Sequence, residues 1–182
     1  MIAFKLIEEN LPQVLTDPTD LKARGQLLVG ASHAGAAIER SMLGAAHAMA
    51  NPLTAHKGVV HGIAVGISLP GVMMFNSQDA GVCSIYAQLS RLAHLSSPND
   101  SDADATEALI KRVHQLLGMA DLPKSLTELG FSAQEVGTLA DNAAEQWTAS
   151  FNPRMITSSD FENLYSQLLE GSHCDFSASE GK

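Results

Sequence analysis

Apolar residues return at three- and four-residue steps along most of this chain and nowhere alternate at steps of two, so the pattern predicts helices and no strands. The longest run begins at Leu21, where Leu28, Ala31, Ala34, Ile38, Met42, Ala45 and Met49 line one helical face. Ahead of it, Thr16-Asp17-Pro18-Thr19-Asp20 offers oxygen-bearing side chains to the free amides of a helix start. Asn51-Pro52 should end the run, because a residue before proline is pushed out of the α region. One long helix is therefore expected from Leu21 to Asn51, then a loop to about Val60 and a new helix near His61. The first of these is so dense in Gly, Ala and Ser that neighbours could approach it closely, which predicts a place at the centre of a bundle.

Residues 2–15 carry a second helical rhythm, with a kink or early stop expected at Pro12. Further helices are predicted over 79–96, 104–119, 132–148 and 158–170, with turns at 96–100 and around Pro123 and Pro153. Ser125-x-x-Glu128 and Ser132-x-x-Glu135 read as capping boxes, in which hydroxyl and carboxylate each satisfy a free backbone amide. The stretch 171–182 is polar, rich in Ser and Gly, and reads as a flexible tail. The whole is an all-α helical bundle, with one domain over residues 1–170.

Composition changes this picture little. An aromatic share of 5% leaves the core to Leu, Ile, Val, Met and Ala. A formal charge of −9 with scattered acidic residues and no basic patch argues against a nucleic acid or an anionic membrane as partner. Cys83 and Cys174 have no framework spacing, which points to free thiols in a reduced, cytoplasmic setting. The opening residues reach Glu8-Glu9 too early for a secretion signal, and the longest apolar stretch, 62–75, falls short of the roughly 20 residues that span a bilayer.

Candidate chemistry lies in Gly44-Ala45-Ala46-His47-Ala48-Met49-Ala50-Asn51-Pro52-Leu53 and Val60-His61-Gly62. His47 is expected on the last helical turn before Asn51-Pro52 and His61 at the start of the next helix, so that the loop between them could turn both rings to one point. Imidazole pairs of this kind suit Fe, Zn, Ni or Cu. Two ligands are few, however, and satisfied core or helix-end histidines are an alternative reading. The other histidines read as structural or surface, His56 as a residue of the loop between the pair. Cys83 reads as a packed helical thiol and Arg154 as the holder of a turn.

The run from Ala34-Gly35 through His47, Asn51-Pro52-Leu53, His61-Gly62 and Leu69-Pro70-x-Val72-Met73-x-Phe75-Asn76 resembles the signature segment of the iron-containing (group III) alcohol dehydrogenases. Leu122-Pro123-x-x-Leu126-x-x-Leu129-Gly130, Asn152-Pro153-Arg154 and Thr157-x-x-Asp160-x-x-x-Leu164-Tyr165 resemble the closing part of the same family. The resemblance implies the C-terminal helical domain of the dehydroquinate synthase-like fold, from an NAD(P)-linked oxidoreductase of alcohols or aldehydes. It implies a divalent metal, Fe2+ or Zn2+, held by one Asp and three His, of which His47 and His61 match the last two.

The other two ligands and the nucleotide-binding half lie, in the family, upstream of the matched region. The resemblance therefore implies an incomplete metal site, NAD(P) bound only with that other half, and little or no turnover by the chain alone. A family histidine that assists proton relay falls here on Asn51, which could orient a substrate hydroxyl or a water but cannot titrate near neutral pH. A non-catalytic helical module that pairs with a separate nucleotide-binding chain, or self-associates, is the alternative.

Overall fold

The computed structural model describes residues 1–171. The expected flexible tail, apart from Gly171, and Cys174 lie outside them. Among the described residues every regular element is helical, as the absence of any two-residue alternation predicts. No described helix is long and apolar enough to cross a membrane.

The chain folds as two compact units. The first joins Met1–Met42 to Ser77–Asp121 and holds α1 (Ile2–Thr16), α2 (Leu21–Ser41), α5 (Ala80–Leu92) and α6 (Asp102–Met119). Within it α1 packs on α2 and α5 on α6. Helix α1 runs through Pro12 rather than stopping there. Proline removes one donor, but the Pro12 carbonyl still accepts from the Thr16 hydroxyl at 2.9 Å, and packing against α2 outweighs the loss. Arg112 of α6 ties down the nearly buried Glu8 carboxylate of α1 with two nitrogens, each 2.8 Å from one oxygen. The expected cap forms at Asp20, which accepts from Ala23 N–H; the structure adds Asp79, which accepts from Gly81 and Val82 N–H, and Ser101, which accepts from Asp104 N–H. Cys83 lies on α5 with its sulfur 3.4 Å from the Thr106 hydroxyl.

The second unit joins Leu43–Asn76 to the described residues from Leu122 on. It holds α3 (Ala45–Lys57), α4 (His61–Asn76), α7 (Val136–Ala144) and α8 (Ser158–Glu170), with single 3-10 turns at Ala133–Glu135 and Trp147–Phe151. Helix α3 lies against α4, α7 and the 147–151 turn, and α7 against α8. Met49, Leu53, Ile67, Leu126, Leu139, Phe161 and Tyr165 meet in one core, where the Tyr165 hydroxyl donates to the Met49 carbonyl at 2.7 Å. The Ser132 box forms in full. At Ser125 only half forms, since Glu128 reaches the Lys124 N–H instead of that of Ser125. Thr157 and Asp160, quoted above for the resemblance, are a complete capping box at the start of α8.

The long helix expected over 21–51 is two. Helix α2 ends at Ser41, and Met42 takes φ 62°, ψ −175°, a conformation that breaks helical hydrogen bonding while leaving the spacing of apolar residues undisturbed. Nor does Asn51-Pro52 end anything: α3 runs through it to Lys57, and Gly58 terminates it at φ 65°, the left-handed cap that glycine adopts without strain. Pro52 is buried within α3, so core packing again prevails over local preference. The small-residue segment of α2 is not a bundle centre either. Its residues from Ala31 to Ser41 are exposed save for the half-buried Ala34, and it is α3 that is buried.

Candidate metal centre

His47 sits in the first turn of α3, two residues after its start, and not in a last turn before Asn51-Pro52. His61 is the first residue of α4, as expected. The chain leaves α3 at its far end, some ten residues and about 15 Å of helical rise beyond His47, and Gly58, Val59 and Val60 bring it back. Gly58 makes the reversal and Val59 is buried in the core. Lys57 anchors the departing end: its ammonium donates to the Gly130 carbonyl, pairs with Glu135 at 3.0 Å and lies 4.5 Å from the centre of the Phe131 ring.

The result is a pair of imidazoles with ring centres 5.4 Å apart and planes tilted by 51°. His47 is half-buried and His61 exposed. Burial first, and the neighbouring His61 second, hold the pKa of His47 below the ordinary histidine value, so near neutral pH its ring is uncharged and keeps a lone pair. Two imidazoles on one tetrahedral ion, at bonds of about 2.0–2.1 Å, have centres roughly 5 Å apart, a spacing close to that of this pair. Among the described residues no third histidine, cysteine or carboxylate joins the two into a cluster. A tetrahedral ion of that kind takes four ligands, or three and a water.

Asn51 stands one turn after His47 on the same helix, and its amide donates to Gln146 Oε1 at 2.8 Å. Gln146 in turn donates to the Asn142 carbonyl at 3.2 Å. The Asn51 side chain is thereby oriented from α7 and the 147–151 turn. His56 is on the last turn of α3, not in a loop, with Nε2 3.0 Å from the Asn142 amide.

One cluster near His47 is not readable from the sequence. Asn152 reaches the start of α3, where its Oδ1 accepts from the Ala45 N–H at 3.2 Å and from Asn76 Nδ2 at 3.2 Å. Its own amide donates to Asn76 Oδ1 and to the Arg154 carbonyl, both at 2.7 Å. Arg154 donates to the Phe75 carbonyl at 2.7 Å and lies 3.8 Å from the centre of the Phe75 ring, so it does hold a turn. Asn76 and Asn152 are 76 positions apart, and neither residue type announces such a partner. The Asn-Pro-Arg motif was the available signal.

This fold is shared with known enzymes. The crystal structure of a 1,3-propanediol oxidoreductase superposes with a TM-score of 0.88 at 27% identity, over 93% of this chain and 44% of that one. The chain belongs to the Fe-containing alcohol dehydrogenase family, whose C-terminal part matches residues 1–169. It is 29% identical to a 1-propanol dehydrogenase of Citrobacter freundii over 92% of its own length and 46% of that protein's. It is 27% identical to an NAD-dependent methanol dehydrogenase of Bacillus methanolicus over 92% of its length and 43% of that protein's. The chain therefore spans less than half the length of the curated relatives it matches.

Proposed function

We propose that this chain is the metal-gripping helical part of an NAD(P)-linked oxidoreductase of small alcohols or aldehydes, with His47 and His61 as ligands of one divalent cation, Fe2+ or Zn2+. The observation that carries the reading is the juxtaposition of the two rings at 5.4 Å across the turn between α3 and α4. Family membership over nearly the whole chain supports it. A bound divalent ion would polarise the alcohol oxygen and lower its pKa, which favours hydride loss to a nicotinamide ring.

The contribution of this chain's own residues is placement. The two imidazoles offer nitrogen donors, and Asn51, held by Gln146, presents a polar group one turn from His47 that orients a substrate hydroxyl or a water. The remaining ligands and the nucleotide site come from sequence corresponding to the other half of the relatives, in a cytoplasmic enzyme.

The test is the Zn2+ affinity of the chain and of His47→Ala and His61→Ala, by calorimetry. Loss of either ring should weaken binding by more than about a hundredfold, beyond the effect of outer-shell changes. Equal affinity of the three proteins removes the metal reading.

A second reading, a helical module that docks on another chain or on its own copy, is favoured by exposed apolar side chains near the 147–151 turn. Trp147, Phe151 and Met155 are 59%, 49% and 88% exposed, and such surface commonly marks an interface. Light scattering separates the two, since a strictly monomeric chain without affinity for a nucleotide-binding partner is incompatible with the module.

A further inference from the structure

We propose that Asn152 is a positioning residue for the His47–His61 pair, acting through the first turn of α3 and the last residue of α4. The proposal builds on the metal reading for its consequence, but the placement of the rings is measurable without metal.

A helix start has free N–H groups that need acceptors, and the residue in the cap position of α3 is Gly44, which has no side chain to offer. Asn152 supplies the acceptor from 107 residues away, at the Ala45 N–H. The absence of a side chain at Gly44 leaves it room, because a Cβ there would lie a tight 3.1 Å from Asn152 Oδ1 and 3.6 Å from Asn152 Cα. His47 follows Ala45 by two residues in the same turn.

The other arm of the latch is a reciprocal pair of amide hydrogen bonds to Asn76. Asn76 is buried and ends α4, the helix that His61 begins. A helix is stiff over its length, so fixing the end of α4 to the start of α3 fixes where the first residue of α4 falls beside α3. Asn152 thus sets the placement of both rings while touching neither. Four hydrogen bonds use its acceptor twice and its donor twice, a combination that Ala, Ser or Leu cannot reproduce.

The experiment uses the full 182-residue chain, metal-free, with isotope-labelled histidine rings. The unaltered protein should give a ring-to-ring NOE between His47 and His61. In Asn152→Ala and in Asn76→Ala that NOE should disappear or weaken several-fold. In Leu109→Ala, an equally intrusive core change in the first unit, it should persist. Asn152→Asp keeps the acceptor at Ala45 and should recover part of the signal. Circular dichroism verifies folding, and if Asn152→Ala does not fold, Asn76→Ala and Asn152→Asp decide.

A Co2+ titration followed by visible absorbance adds the functional readout, with affinity expected to fall roughly tenfold in Asn152→Ala, as for outer-shell changes at metal sites. No NOE in the unaltered chain, or an unchanged NOE in folded Asn152→Ala and Asn76→Ala, overturns the proposal. Loss of the NOE in those variants of a chain that binds no Co2+ leaves the positioning role standing and removes the metal reading instead.

Discussion

Helices α2 and α3 are built from much the same residues, small and apolar with few charges, yet they meet opposite fates. From Ala31 onward α2 is exposed along nearly its whole circumference, whereas α3 buries Ala45, Ala46, Ala48, Met49, Ala50, Pro52 and Leu53. The difference lies in their surroundings within each unit. Helix α2 has α1 beside it, while α3 has α4, α7 and the 147–151 turn, a side-chain cap at its start and a lysine clamp at its end. The helix that carries His47 is the one whose position is fixed from several sides. Small residues permit close packing; they do not by themselves attract it.

The sharpest way to break this contrast is a pair of leucine truncations read by urea unfolding. Leu53→Ala, fully buried, should cost about 2–5 kcal/mol, and Leu28→Ala, 73% exposed, less than about 0.5 kcal/mol. A large cost at Leu28 would mean that α2 is covered in solution. Arg112→Ala should come next, at about 2 kcal/mol, because it strands the nearly buried Glu8 carboxylate while leaving some access to water.

At the boundary between the two helices, Met42→Gly should stabilise the chain by about 1 kcal/mol, since a non-glycine residue is strained at φ 62°. Thermal melting should show the gain, and Met42→Ala should not reproduce it. The smallest effect belongs to the clamp at the far end of α3. Hydrogen bonding from the Ser132 hydroxyl first, and then from Lys57, holds the Glu135 carboxyl below its ordinary 4.5. Its contribution is therefore complete above that value and is lost as pH falls through the lower folded one. In Glu135→Gln that part of the acid-side loss of stability should be absent from pH-dependent melting.

Most helices were legible because their signals are local: Asp20 and Ser132 cap where their chemistry says they should. The errors share a cause. A break such as Met42 leaves apolar spacing intact, and Pro12 and Pro52 sit inside helices because tertiary contacts outweigh a lost donor. The histidine pair was legible as two residue types at a familiar spacing, although His47 came to its partner from a first turn rather than a last one. Asn51 was singled out, but Gln146, which orients it, and Asn152, which caps α3, depend on contacts 95 and 107 positions distant. Asn152 stood in the quoted Asn-Pro-Arg motif, but one sequence does not say which residues either side chain meets.

His47 and His61 both stand in the opening turns of their helices, so the backbone amide dipoles of α3 and α4 direct positive potential at the neighbourhood of the rings. A lone cation entering there meets an opposing field. Under the metal reading proposed above, whatever joins the imidazoles around an ion would accordingly be anionic, a carboxylate or a deprotonated oxygen. Under the proposed function, the same field would assist an alcohol in shedding its proton.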